Sequence, residues 1–309
     1  MLRLAAGLGQ LPQAFRHRHA AYLREAQQPD GGFAGREGES DLYYSSFGLR
    51  GLSLLGQLYG PPAERAAQFL RSRLSRYETV IDLVSLVYGA SLLKISAGID
   101  VLDFAPPEWH ARVARMFAQL RRPDGGYSKT VEGHASSTYH SFLVLLCLQL
   151  LERPVPNPRS LVEFLLSQRG DDGGFREIRV SKRSGANPTA AAVGALQILE
   201  AVSREVRQGA IAFLAALQTE EGGLRANTRI PIADLLSTMT GVLTLADLSG
   251  LDHLDTRAVA GFVNCLELPD GGFRAAAWDD TPDVEYTFYG LSCQALLAQP
   301  QWPPVRSEA

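Results

Sequence analysis

One short phrase recurs along the chain and constrains its fold more than any other feature. Gly31-Gly32-Phe33, Gly125-Gly126-Tyr127, Gly173-Gly174-Phe175 and Gly271-Gly272-Phe273 repeat it, Gly222-Gly223-Leu224 varies it, and acidic residues precede every pair. Self-similarity at a period of tens of residues marks a repeat architecture, in which one supersecondary unit cannot bury its own apolar face and must stack on the next.

Ten to fourteen residues beyond each pair, a small polar residue opens an apolar run: Asp41, Ser137, Asn187, Asp234 and Asp283. A sixth run, VIDLVSLVYGASLL, carries Asp82 at the same place and lacks the Gly-Gly. Asp, Ser and Asn at the head of such a run are N-caps, whose side-chain oxygen accepts from free N–H groups of the first turn. Pro188 after Asn187 suits the first helical position. Seven residues further on, Gly48, Gly89, Gly194, Gly241 and Gly290 keep the register, with Val144 in the remaining unit.

A second helical pattern precedes each Gly-Gly, so one unit reads as helix, glycine turn, capped helix. The first helix carries charge on one face, as in PPAERAAQFLRSRL, and belongs outside; the second, as in TYHSFLVLLCLQLL, is apolar nearly all round and belongs inside. Six hairpins, over residues 14–58, 61–98, 107–152, 157–202, 205–249 and 253–299, predict a single all-α domain across residues 1–309. The first and last units resemble each other most, which favours closure into an α6/α6 toroid.

With 309 residues, 46% hydrophobic and 20% charged, the chain can bury a large core. Its net charge of −3 leaves no basic excess, so nucleic acid is not an expected partner. Cys147, Cys265 and Cys293 sit in apolar runs and are expected to be buried, reduced thiols, which points to the cytoplasm. The N-terminal MLRLAAGLGQLPQAF reads as a leader into the first helix rather than a signal peptide. No transmembrane segment is expected, and the terminal WPPVRSEA reads as an ordered cap with a loose end.

In QQPDGGF, RRPDGGY, QRGDDGGF and LELPDGGF the chain resembles the terpenoid cyclase and protein prenyltransferase superfamily, over roughly residues 14–300. The segment DLYYSSFGLRGLSLLG is similar to an inner-helix segment of protein prenyltransferase β subunits. The resemblance implies a central apolar cavity that binds an isoprenoid diphosphate, transfer or processing of the prenyl group, and a helical α-subunit-like partner. It also implies a zinc ion held by an Asp-x-Cys on one inner helix and a His on the next. Asp234 and Asp283 match the metal-site Asp positions, but Leu236 stands at the Cys position and Tyr286 at the His position, so zinc is not the expected cofactor. Class II terpene cyclases of the same superfamily protonate their substrate from an Asp-x-Asp-Asp-Thr-Ala run. AAWDDTPD is similar, with Asp279, Asp280 and Thr281 present and Ala277 at the first Asp, which adds Asp280 to the candidate acids.

Tyr44, His140, Glu285 and Tyr286 fall on the first turns of inner helices and are candidates for positioning an acceptor or moving a proton. Arg176, Arg179, Lys182 and Arg183 share one long loop, and Arg225 and Arg229 the next. Beside exposed N–H groups at helix starts they could hold a diphosphate. Mg²⁺ could bridge that diphosphate to Asp279, Asp280 and Glu285. Three other readings stay open: a non-catalytic binding or scaffold toroid, a class II cyclase-like enzyme, and a carbohydrate-active barrel using Asp279 or Glu285 with Asp41.

Overall fold

The computed structural model describes residues 1–76 and 79–299, so the expectation for the terminal WPPVRSEA lies outside the described residues. A short helix α1 (Leu2–Leu8) is followed by alternating outer and inner helices. The outer ones are α2 (Gln13–Ala26), α4 (Gly60–Arg73), α6 (Trp109–Leu120), α8 (Pro158–Ser167), α10 (Arg204–Ala215) and α12 (Thr256–Cys265). The inner ones are α3 (Leu42–Leu54), α5 (Val80–Ala97), α7 (Thr138–Leu150), α9 (Ala186–Ile198), α11 (Leu235–Asp247) and α13 (Val284–Leu297). Each inner helix touches the next, and α13 returns to α3, so the inner helices form a closed ring.

The glycine pairs hold the outer ring. The first glycine of each pair has φ between 83° and 98°, which only glycine adopts without strain. Its missing Cβ admits the backbone of the following outer helix: a Cβ on Gly31 would lie 2.1 Å from the Arg65 carbonyl oxygen, and one on Gly125 2.1 Å from that of Ser160. The second glycine faces an aromatic ring of the same helix, Phe69, Phe164, Phe213, Phe262 or Tyr22. The acidic residues have a structural role: Asp30, Asp124 and Asp172 accept both the second glycine's N–H and the hydroxyl of Ser40, Ser136 or Ser184. The aromatic residue that follows is buried, and its N–H donates to a hydroxyl four places beyond the inner-helix cap: Ser45, Ser141, Thr189, Thr238 and Thr287 (via Leu224 in the variant unit).

Two caps differ from expectation. α5 is capped by Thr79, and Asp82 is the third residue of a capping box whose carboxylate reaches back to the Thr79 N–H. α9 is capped by Gly185 without a side-chain bond, so Asn187 and Pro188 fall inside its first turn and Gly194 is out of step with Gly48, Gly241 and Gly290. Pro188 is still tolerated there, because first-turn N–H groups have no intrahelical acceptor. Asp41, Ser137, Asp234 and Asp283 cap as expected.

One cysteine departs from expectation. Cys147 and Cys293 are buried, whereas Cys265 is exposed. α5 is long and apolar enough by length and composition to cross a membrane, but it packs between α3 and α7 as part of the ring. The N-terminal leader is itself structured: α1 lies across α13 and α3 at the C-terminal ends of the inner helices, with Leu4 and Leu8 buried and Arg3 paired to Asp247 at 2.7 Å.

Closure between the last and first units uses different chemistry from the other contacts. The Gly272 N–H donates to His19 Nδ1 at 3.0 Å rather than to the acidic residue before it, and His19 Nε2 meets Glu267 at 3.1 Å. His19 is fully buried and stacks on Phe273; burial pushes its pKa down to about 4 despite Glu267, so the ring is neutral.

The glycine contacts can be separated from backbone strain. Gly31 and Gly38 both have positive φ, but nothing lies within 4 Å of a Cβ on Gly38. Gly38→Ala should cost about 1–2 kcal/mol from left-handed backbone alone. Gly31→Ala should cost at least about 3 kcal/mol, because a carbonyl must move. Denaturation midpoints of the two variants measure the difference.

Candidate functional site

Inside the ring lies a cavity of about 910 Å³. Its walls follow the inner-helix register. Residues two places beyond each cap face it or touch its lining: Tyr43, Ile81, Tyr139, Asn187 and Leu236 line it, and Glu285 binds two lining tyrosines. One turn lower stand Phe47, Ser85, Leu143, Ala191, Thr240 and Tyr289. Aromatic rings crowd the side built from α13, α3, α5 and α7, while α9 and α11 contribute Ala190, Ala191, Gly194, Met239 and Leu243. Met1, Arg3 and Leu4 of the α1 segment line it from the opposite end of the ring.

Glu285 is the buried acid of this site. Its Oε1 accepts from the Tyr43 hydroxyl at 2.6 Å and from the Tyr289 hydroxyl at 2.8 Å. Burial raises its pKa above the usual carboxyl value and Asp283 adds to the rise, against the two tyrosine bonds and the more distant Arg50, which lower it. Tyr43 and Tyr289 are in turn held un-ionised, first by burial and then by the Glu285 charge.

Tyr44, His140 and Tyr286 stand three places beyond their caps, and neither they nor Asp280 line the cavity. Tyr44 packs its ring on Gly35. Tyr286 sits under the Arg36 guanidinium, 5.8 Å from its ring centroid. His140 Nδ1 meets Ser137 Oγ at 2.9 Å, and that hydroxyl donates to Glu177; burial, then Lys129, lowers the imidazole pKa. It is a hydrogen-bonded core histidine. Asp280 is 96% exposed and pairs with Arg274, so it cannot be a desolvated acid. Burial alone would raise the neighbouring Asp279, but the Arg36 fork and the Thr281 and Ala275 N–H groups outweigh it and keep the carboxylate ionised.

The basic loops also resolve differently from expectation. Arg176 donates to the carbonyls of Gln168 and Arg169, and Arg225 faces that of Ala216, so both close the ends of outer helices. Arg179, Lys182, Arg183 and Arg229 are exposed, and none of the six lines the cavity.

The metal positions do not fit a zinc centre. Asp234 accepts from the Ser237 N–H and hydroxyl, both at 2.7 Å, and Asp283 from the Tyr286 N–H and Arg36. Among the described residues no three His, Cys, Asp or Glu side chains converge, whereas zinc needs three or four ligands. The carboxylates assigned to Mg²⁺ are likewise occupied separately, Asp279 by Arg36, Asp280 by Arg274 and Glu285 by tyrosines.

The chain matches the prenyltransferase alpha-alpha toroid domain over residues 6–88, 64–187 and 189–303, and it belongs to that family. No curated protein matches it in sequence. Among solved structures it is similar to the protein geranylgeranyltransferase-I of Candida albicans complexed with GGPP, at 16% identity, covering 92% of each chain with a TM-score of 0.68. It is also similar to the type II terpene cyclase MstE from Scytonema, at 15% identity, covering 94% of this chain and 98% of that one with a TM-score of 0.64. The GH76A alpha-1,6-mannanase from Salegentibacter sp. HEL1_6 matches the fold as well, at 11% identity and a TM-score of 0.65, covering 92% of this chain and 98% of that one. Three chemistries on one ring show that the fold does not choose among them.

The Glu285 environment sets a pH test. A folded pKa above the unfolded one means that the native state keeps a proton the unfolded state releases, so this carboxyl costs stability above its unfolded pKa and nothing below it. Glu285→Gln should therefore melt higher than the parent at pH 8, with the gain vanishing near pH 4. Melting curves at both pH values decide, and a loss of stability at pH 8 would contradict the assignment.

Proposed function

We propose that this protein binds an isoprenoid, an isoprenoid diphosphate being the first candidate, in the central cavity and processes its prenyl group. One observation carries the reading: the closed ring encloses about 910 Å³ of mostly apolar space, within the range of cavities that bury small-molecule ligands, and aromatic rings line one side of it. Phe47, Tyr88, Phe142 and Phe288 line that side, Arg50 lies over three of them, and the Phe142 ring is the one left to meet a cation developing on a prenyl chain. Membership of the toroid family agrees with this reading, as do relatives of similar fold described with GGPP or as terpene cyclases.

The second reading, proton-initiated processing as in class II cyclases, is favoured by Glu285. Burial raises the pKa of this carboxyl, and in its protonated form it would deliver a proton to an alkene, leaving a tertiary cation and a carboxylate held by Tyr43 and Tyr289. This acid replaces the Asp279-Asp280 pair as the candidate proton donor. If ligand binds and no product forms, the non-catalytic toroid is the correct description.

Geranylgeraniol or geranylgeranyl diphosphate at 100 times its dissociation constant should stabilise the protein by about 2.7 kcal/mol. Ala191→Trp, which fills the small-residue side of the cavity, should abolish that gain. No thermal shift with either isoprenoid, or a shift that survives Ala191→Trp, would refute cavity binding.

A further inference from the structure

We infer that the ligand's anionic head group is held inside the ring, at Arg50 and Ser292, and not by the basic loops at its edge; this rests on the isoprenoid reading above. Nine places beyond each cap, about 13 Å down the inner helices by their rise per residue, six side-chain positions ring the cavity: Arg50, Tyr88, Leu146, Gly194, Leu243 and Ser292. Five are uncharged and one is a cation. The Arg50 guanidinium lies over three rings, 4.8 Å from the Phe47 centroid, 4.3 Å from Tyr88 and 5.7 Å from Phe288.

Among the described residues Arg50 forms no ion pair and no hydrogen bond, and its buried Nε is without a partner. Ser292, at the same level on the adjoining helix α13, is fully buried and its Oγ also lacks a partner. Arg50 is half-buried with its Nε fully so, and a buried donor or hydroxyl is costly unless bonded. Both unsatisfied groups border one cavity at one depth.

The acids nearby do not fill the role. Glu285, two turns above, is turned to Tyr43 and Tyr289, and Asp247, near the α1 end, is paired with Arg3. A guanidinium fork and a hydroxyl bordering one cavity suit a carboxylate or a phosphate. An isoprenoid anchored there would run its chain along Ala190, Ala191, Met239 and Leu243.

The test is the binding of geranylgeraniol, geranylgeranoic acid and geranylgeranyl diphosphate to the full chain, measured by titration calorimetry. Parent protein should bind at least one anion ten times or more tighter than the alcohol, and the tighter anion identifies the head as carboxylate or phosphate. Arg50→Met should erase that preference while leaving alcohol binding intact; Ser292→Ala, a milder change should Arg50→Met fail to fold, should reduce it several-fold. The double variant Lys182→Ala with Arg183→Ala should leave the preference unchanged. An anion preference that survives Arg50→Met or is lost in the loop variant overturns the inference, as does equal binding of alcohol and anions by the parent. Failure of all three ligands to bind removes the isoprenoid reading itself.

Discussion

The structure depends on one contact made five times: a glycine pair that lets a loop touch the backbone of the next outer helix. At Gly31 the distance that a Cβ would leave to the Arg65 oxygen, 2.1 Å, is far inside van der Waals contact, so the approach exists only because the side chain is absent. The same loop sends its aromatic N–H to a hydroxyl on the inner helix and so fixes where that helix starts. Unit-to-unit bonds extend this order: the first helical N–H of α7, α9 and α11 donates to a carbonyl in the following unit's loop. Register is passed around the ring, and His19 completes it where the last unit meets the first.

Fixed register has a chemical consequence. Because every inner helix begins at the same height, positions two, six and nine places beyond the cap form layers around one cavity. The topmost layer supplies Glu285 and Tyr43, and the lowest of the three supplies Arg50 and Ser292. Positions three places beyond the cap turn away, into the seams between helices and loops. A single-residue difference thus separates a cavity group from a structural one, as with Tyr43 and Tyr44 or Tyr139 and His140.

Much of this was legible in the sequence. The glycine period, the capped apolar runs and the closure of the last unit on the first point to a toroid, and the chain does belong to a toroid family. Two caps were misread because Asp82 and the Asn187-Pro188 pair carry the right chemistry a few residues late, while the diagnostic hydroxyl, Thr189 or Ser45, looks like any other small polar residue. Basic loops read as a diphosphate site because sequence shows charge but not what it touches, and Arg176 touches carbonyls. Arg50 and Tyr289 went unnoticed for the opposite reason: both lie mid-helix, where side chains are taken for core, and only the layered register brings them to the cavity.

On the proposed reading, ligand enters the middle of the ring. A second apolar hollow of about 610 Å³ lies outside it, bordered by α6 and the loop around Arg153 and Pro154, so a hydrophobic ligand has a real choice. Photo-crosslinking with a diazirine-bearing C20 isoprenoid, followed by peptide mapping, reads that choice directly. Labels on Phe142, Leu236, Met239 or Leu243 are the predicted result; labels confined to His110, Ala114 or Leu151 would contradict it.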